Sequence, residues 1–320
     1  PEKIKFHIER VEKHIDEYLK QMEAADKEEN KSADDKPIEH KITELNQKLA
    51  ELKALEVKVN EAPDKQLSTT DPDSRLLKTQ GMTRSVCYNV QTAVDPRNHL
   101  IVAHEVINTT DRGQLCRVAK QVQTALQTKG VTVIADKGYY SGQDIKDCQD
   151  AGMTALVPKG DTSGSEKKGI FNRSQFEYDA EQDRYICPAK QELPYRFTAI
   201  ENGLTLKRYW ANDPTCRACS MKPQCSTSKQ SRRITRWIHQ DRLEQMEELL
   251  SSQPESMLIR KQTVEHPYGT IKCWMGATHF LTRRIKNVST EMNLHVLAYN
   301  LKRMMSIFGE AELIAAMTEI

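Results

Sequence analysis

Apolar residues step by threes and fours at the start of the chain. Ile4, Ile8, Val11, Ile15, Tyr18 and Met22 recur with charged residues between them, and Ile38, Ile42, Leu45, Leu49, Leu52 and Leu55 repeat the pattern. Such spacing puts one apolar stripe on each of two helices. The stretch 26–36 between them is too polar to pack and reads as a connecting loop. An antiparallel helical hairpin over residues 1–62 is expected, either as a dimerisation arm or as an insertion on a larger domain, with solvated charged faces.

After Ala62-Pro63 and a turn-rich stretch at 68–74 the period changes. Residues 86–94 alternate and 99–106 are rich in β-formers, with Asp95-Pro96-Arg97-Asn98 as the turn between two strands. No strand is expected between 63 and 85. Helical spacing returns over 113–126 through Leu115, Val118, Val122 and Leu126. A short β-branched run, Val131-Thr-Val-Ile-Ala-Asp136, then leads through Ser141-Gly142 into a helix at 143–151 and a strand at 154–157. Two antiparallel strands followed by alternating helix and strand predict a mixed α/β sheet over 63–158.

Asp136 ends a buried strand, where open α/β sheets bind ligands. It reads equally as a cap of the following turn.

The character changes at the Gly, Ser and Lys loop 159–169. A β-leaning stretch, 171–210, carries Tyr178, Tyr185, Tyr195, Phe197 and Tyr209, and Cys187, Cys216, Cys219 and Cys225 fall within 159–228. Cys216-x-x-Cys219 with Cys225, and Cys187-Pro188 as a distant fourth, suits a tetrahedral structural zinc site; free thiols that happen to cluster are the alternative. Lys229, Arg232, Arg233 and Arg236 flank Trp237, either to hold phosphates and stack on a base or as a solvated helix start with a packed Trp.

In the C-terminal part, 229–320, a helix from Asp241 stops at Pro254. At helical spacing Lys261, Glu265, Tyr268 and Lys272 share a face, and Pro267 is expected to kink or restart the helix. Basic groups around one carboxylate keep it ionised beside phosphate contacts, and an ordinary surface ion pair is the alternative. The apolar helix 292–307 closes the core.

Bulk properties add limits. The chain has 320 residues, 38% of them hydrophobic, enough for two or more compact units. No apolar run approaches a membrane span, and the chain reads as soluble and intracellular. A net charge of +2 is too small to argue for nucleic acid by itself. The eight cysteines, without export signals, point to reduced thiols or metal ligands instead of a disulfide framework.

Ala135-Asp136-Lys-Gly-Tyr139, Tyr88-Asn-Val-Gln-Thr-Ala-Val-Asp95, Thr263-Val-Glu265-His-Pro-Tyr-Gly-Thr-Ile-Lys272, Gly276-Ala-Thr-His-Phe-Leu281 and Leu297-Ala-Tyr-Asn300 together resemble the DDE transposases of bacterial insertion sequences. The resemblance implies an RNase H-like mixed sheet, interrupted by the cysteine-bearing insertion. It implies that Asp136 is the second acid of a catalytic triad and Glu265 the third. Lys272 stands where the family has a Lys, while Lys261 and Leu258 replace the expected Arg and Tyr.

The first acid is expected on a strand upstream of Pro1, so the chain reads as N-terminally truncated and inactive alone. Asp71 and Asp73 are weaker substitutes, and Asp95 and Asp111 read as turn and helix-cap residues. The implied cofactor is Mg²⁺ or Mn²⁺, held by carboxylates for strand cleavage and strand transfer. The implied partners are transposon-end and target DNA, with homo-oligomers assembled on DNA, no membrane, and a place in the bacterial cytoplasm at the nucleoid. A non-catalytic zinc-containing nucleic-acid-binding protein and a nuclease on the same core are the competing readings.

Overall fold

A computed structural model describes residues 2–27, 35–78, 83–160, 164 and 168–318. The expected loops 26–36 and 159–169 lie for the most part outside the described residues. The chain forms two compact units. The first comprises Pro1–Val90, Val106–Thr110 and His279–His295, and the second Gln91–Glu105, Asp111–Thr278 and Val296–Ile320.

In the first unit, α1 (Glu2–Lys27) and α2 (Asp35–Glu61) form the expected hairpin. Ile8, Val11 and Val59 are buried and Ile42, Leu45, Leu49, Leu52 and Leu55 are half-buried along the seam, so the three-four pattern does mark the packed stripe. Lys53 Nζ bridges the helices to Glu12 at 2.9 Å.

A strand absent from the sequence reading follows. β1 (Arg75–Lys78) pairs antiparallel with β2 (Arg84–Cys87), Leu76 opposite Val86. Four residues are too few to carry a period. The expected strand at 86–94 is divided at Tyr88 into β2 and β3 (Asn89–Val94). The Tyr88 hydroxyl turns to Asp71, 2.9 and 2.8 Å from its two carboxylate oxygens. Asp71 also accepts the Arg284 N–H at 3.2 Å, and Asp73 accepts the Ile285 N–H at 3.0 Å. Both aspartates therefore serve the start of α9 (Ile285–Phe308), where unpaired N–H groups favour an anion.

The second unit holds the continuation of β3 and its hairpin partner β4 (Ile101–Ile107), then α3 (Leu115–Leu126), β5 (Thr132–Ile134), α4 (Gly142–Asp150) and β6 (Thr154–Leu156). β5 and β6 pair in parallel, Val133 opposite Ala155. Leu115, Ala119, Ile145, Cys148, Val157 and Trp237 pack into one core. The first N–H groups of α3 donate to buried Asp144 at 2.8 and 3.1 Å, so Asp144 is the cap. Burial pushes the Asp144 carboxyl above its usual range even against these bonds.

Asn300, near the end of α9, donates to the Ile101 carbonyl and accepts the Ile101 N–H, both at 2.9 Å. Beside it, the Tyr299 hydroxyl reaches the His99 carbonyl at 2.6 Å. The Tyr-Asn pair thus fixes the end of the β3–β4 hairpin.

The cysteine-bearing region is a five-stranded antiparallel sheet in the order β11-β10-β9-β8-β7. Its strands are β7 (Glu177–Asp179), β8 (Arg184–Ile186), β9 (Glu192–Glu201), β10 (Leu204–Trp210) and β11 (Arg233–Trp237), with short helices α5 (Asp213–Arg217) and α6 (Lys222–Cys225) before β11. Phe176, Tyr185, Leu193, Tyr209 and Ile234 form its core. The chain continues through α7 (Gln240–Ser252) and α8 (Ser256–Gly269), and ends with α10 (Glu310–Thr318) after α9. Pro267 does not restart the helix: α8 runs unbroken through it and passes into a π turn at Thr270–Trp274.

Candidate active site

Asp136 follows β5 directly and holds two partners. Its Oδ1 accepts the Gly138 N–H at 2.8 Å, capping the short 3₁₀ turn Lys137–Tyr139. Its Oδ2 lies 2.8 Å from Arg260 Nη2 on α8. The capping and functional readings of Asp136 are therefore compatible, one oxygen serving each.

Asp111 stands at the same place. A β-carbon added at Gly138 would lie 2.9 Å from Asp136 Oδ1 and 3.3 Å from Asp111 Oδ2, so both carboxylates border the space that Gly138 leaves open. Asp111 is not the cap of α3, since Asp144 has that part. Instead, buried Gln91 donates to Asp111 Oδ1 at 2.9 Å, and Gln91 in turn accepts the Tyr139 hydroxyl at 2.6 Å. Gln91 comes from the Tyr88–Asp95 motif and Tyr139 from the Ala135–Tyr139 motif, so two of the stretches singled out by sequence meet on this carboxylate. Burial and then Asp111 push the Tyr139 hydroxyl far above its usual range, which keeps it protonated as the donor of this chain.

Helix α8 presents Arg260, Thr263 and Pro267 inward, Thr263 and Pro267 being buried. Glu265, five positions beyond Arg260, is turned by roughly 140° around the helix and is exposed. Among the described residues no group of three or more His, Cys, Asp or Glu side chains stands ready to hold a metal ion, so Glu265 does not join Asp136 and Asp111 in one.

The expected DNA contacts divide. Lys261, Lys272 and Arg233 are exposed. Tyr268 is not available for stacking: it is tucked in, accepts from Thr92 at 3.3 Å, and has Lys272 Nζ 5.5 Å from its ring centre. Arg236 is 7% exposed, paired with Glu244 through both guanidinium nitrogens and laid 3.8 Å over the Tyr178 ring. Trp237 is 8% exposed in the core. Burial takes both out of reach of DNA, and the segment is strand β11, not a helix start. Arg232 is spent on the Cys225 and Phe171 carbonyls at 3.3 and 3.4 Å.

Three residues that the sequence reading passed over, Trp274, Arg196 and Trp210, form exposed or cation-covered aromatic sites. Trp274, 82% exposed, follows Lys272 in the π turn. Arg196 and Arg233 both lie over Trp210, 5.6 and 5.2 Å from its ring. The signal for Trp274 is an aromatic close to Lys272 with no place in the apolar period.

Residues 186–305 match a family model described as the transposase DDE domain. The DDE match begins after Asp111 and Asp136 and includes Arg260, Glu265 and the Tyr299-Asn300 pair. No curated protein and no solved structure matches the chain. A transposase acts on DNA, and among the described residues no helix is long and apolar enough to cross a membrane.

Proposed function

We propose that the chain cleaves and joins DNA strands as an insertion-sequence transposase, with Asp136 and Asp111 as the carboxylates after β5 and before α3 that serve the reaction. The observation that carries this reading is the Arg260–Asp136 pair at 2.8 Å. It ties the Asp136 motif, outside the DDE match, to the helix inside it.

The carboxylates fit a divalent ion in kind. Their hard oxygen donors suit Mg²⁺ or Mn²⁺, and the missing β-carbon at Gly138 gives them a common opening. A bound ion would supply activation of the attacking oxygen and charge neutralisation at the scissile phosphate. The residues present do the rest. Gln91 and Tyr139 aim the Asp111 carboxylate, and Arg260 holds Asp136 and provides a guanidinium for a phosphate oxygen. Lys261, Lys272 and Arg233 supply backbone contacts, and Trp274 an exposed ring for an unpaired base. Glu265 retains the role the family resemblance gives it if DNA or a further segment turns it inward.

Supercoiled plasmid incubated with the chain and Mn²⁺ tests the reading. Nicked and joined products that disappear in Asp136→Asn are expected. Products that survive that substitution would overturn it, and nicking without joining would favour the nuclease.

A further inference from the structure

We propose that Cys187, Cys216, Cys219 and Cys225 bind one zinc ion that locks the five-stranded sheet to its two short helices. All four line a single cavity of about 30 Å³, walled by Phe171, Phe176 and Leu193. That is room for a particle of about water size. They reach it from three separate elements: Cys187 from the turn between β8 and β9, Cys216 and Cys219 from α5 and the turn after it, and Cys225 from the end of α6.

The cavity is prepared for thiolate. The Gln191 N–H already donates to Cys187 Sγ at 3.3 Å, across a turn closed by Cys187 N–H to the Gln191 carbonyl at 2.9 Å. Lys190 takes a positive φ of 58° to make that turn. Backbone N–H groups aimed at sulfur stabilise the deprotonated ligand. Arg232 and Lys222 line the same cavity, and two cations balance the net double negative charge of four thiolates on Zn²⁺. Arg232 Nε is buried with no hydrogen-bond partner, and a thiolate is an acceptor where a thiol is a poor one.

As they stand, the side chains are not gathered into a metal-holding group. Protonated thiols have no reason to converge. Binding must displace these protons and draw the sulfurs to about 2.3 Å from the ion. Four thiolates leave no open position, so the site is structural and separate from the carboxylates.

The test is the metal content of the purified full chain. About one zinc per chain is expected, unchanged in Cys273→Ser and in Asp136→Asn, and falling at least tenfold in the Cys216→Ser/Cys219→Ser double variant. Cobalt titration of the unaltered chain keeps the test decisive if the double variant fails to fold: intense visible absorption of tetrahedral cobalt thiolate is expected. A chain that holds no zinc after purification with zinc present and gives no such absorption overturns the proposal. Zinc content that is indifferent to the double substitution in a folded variant does so as well.

Discussion

Arg260 Nη2 lies 2.8 Å from Asp136 Oδ2, across 124 positions of sequence. Both side chains are partly open to solvent, so the pair adds at most about 1 kcal/mol to stability. Its effect falls on the carboxylate's other ligands. Removing one like charge about 5 Å from a bound divalent cation strengthens its binding roughly fifteenfold in a water-like dielectric. Arg260→Ala is therefore expected to bind Mn²⁺ more tightly, to unfold within about 1 kcal/mol of the parent, and to lose strand cleavage. Weaker Mn²⁺ binding in a calorimetric titration would show that Arg260 supports the site instead of competing for it.

Gly138 is needed for the carboxylates and not for the turn. Gly138→Ala would push a β-carbon against Asp136 Oδ1 and Asp111 Oδ2. Because Asp136 can move into solvent, the stability cost stays near about 1 kcal/mol, while Mn²⁺ affinity falls. Denaturant unfolding and metal titration on one variant separate the two effects, and an unchanged affinity would place the metal elsewhere.

Asn300 exchanges two hydrogen bonds with the Ile101 backbone. Asn300→Ala leaves that N–H and carbonyl without these partners and is expected to cost about 1–3 kcal/mol. The change should appear as a lower urea midpoint at constant slope. A midpoint within error of the parent would mean that the hairpin end is held by Tyr299 alone.

The most depressed carboxylate of the cysteine-bearing sheet is a source of acid sensitivity. Burial alone would raise Asp183, but hydrogen bonds from Tyr209, Lys207 and Tyr178 outweigh it and hold its carboxyl at about 2, below the ordinary 3.8. A depressed carboxylate contributes its full stability above the unfolded value and loses it as pH falls through the folded one. Asp183→Asn should thus lower stability at neutral pH and flatten the loss between pH 3.8 and about 2. An equally steep acid limb in thermal melts would contradict this assignment.

The helical hairpin was legible because its seam spans many turns, and Asp136 because a β-branched run ends on it. β1 was not, being four residues with no repeat. Asp111 was hidden for another reason. Its position before α3 has the local look of a cap, and only the tertiary arrangement shows that Asp144 caps that helix while Gln91 and Tyr139 turn Asp111 toward Asp136. Arg236 and Trp237 misled in the opposite direction: a basic-aromatic run looks like a nucleic-acid surface until strand alternation buries both residues beside Glu244, Tyr178 and the core. Spacing on α8 put Glu265 with Lys261 and Lys272, but spacing does not say which face meets β5, and Arg260 does.

The most direct test of the account is Mn²⁺ binding to the chain, followed by water-proton relaxation and by competition with Mg²⁺. Saturable binding displaced by Mg²⁺, weakened about tenfold or more in Asp136→Asn and in Asp111→Asn, is the predicted result. Binding that is indifferent to both substitutions, or no binding at all, would contradict a carboxylate site built around Gly138.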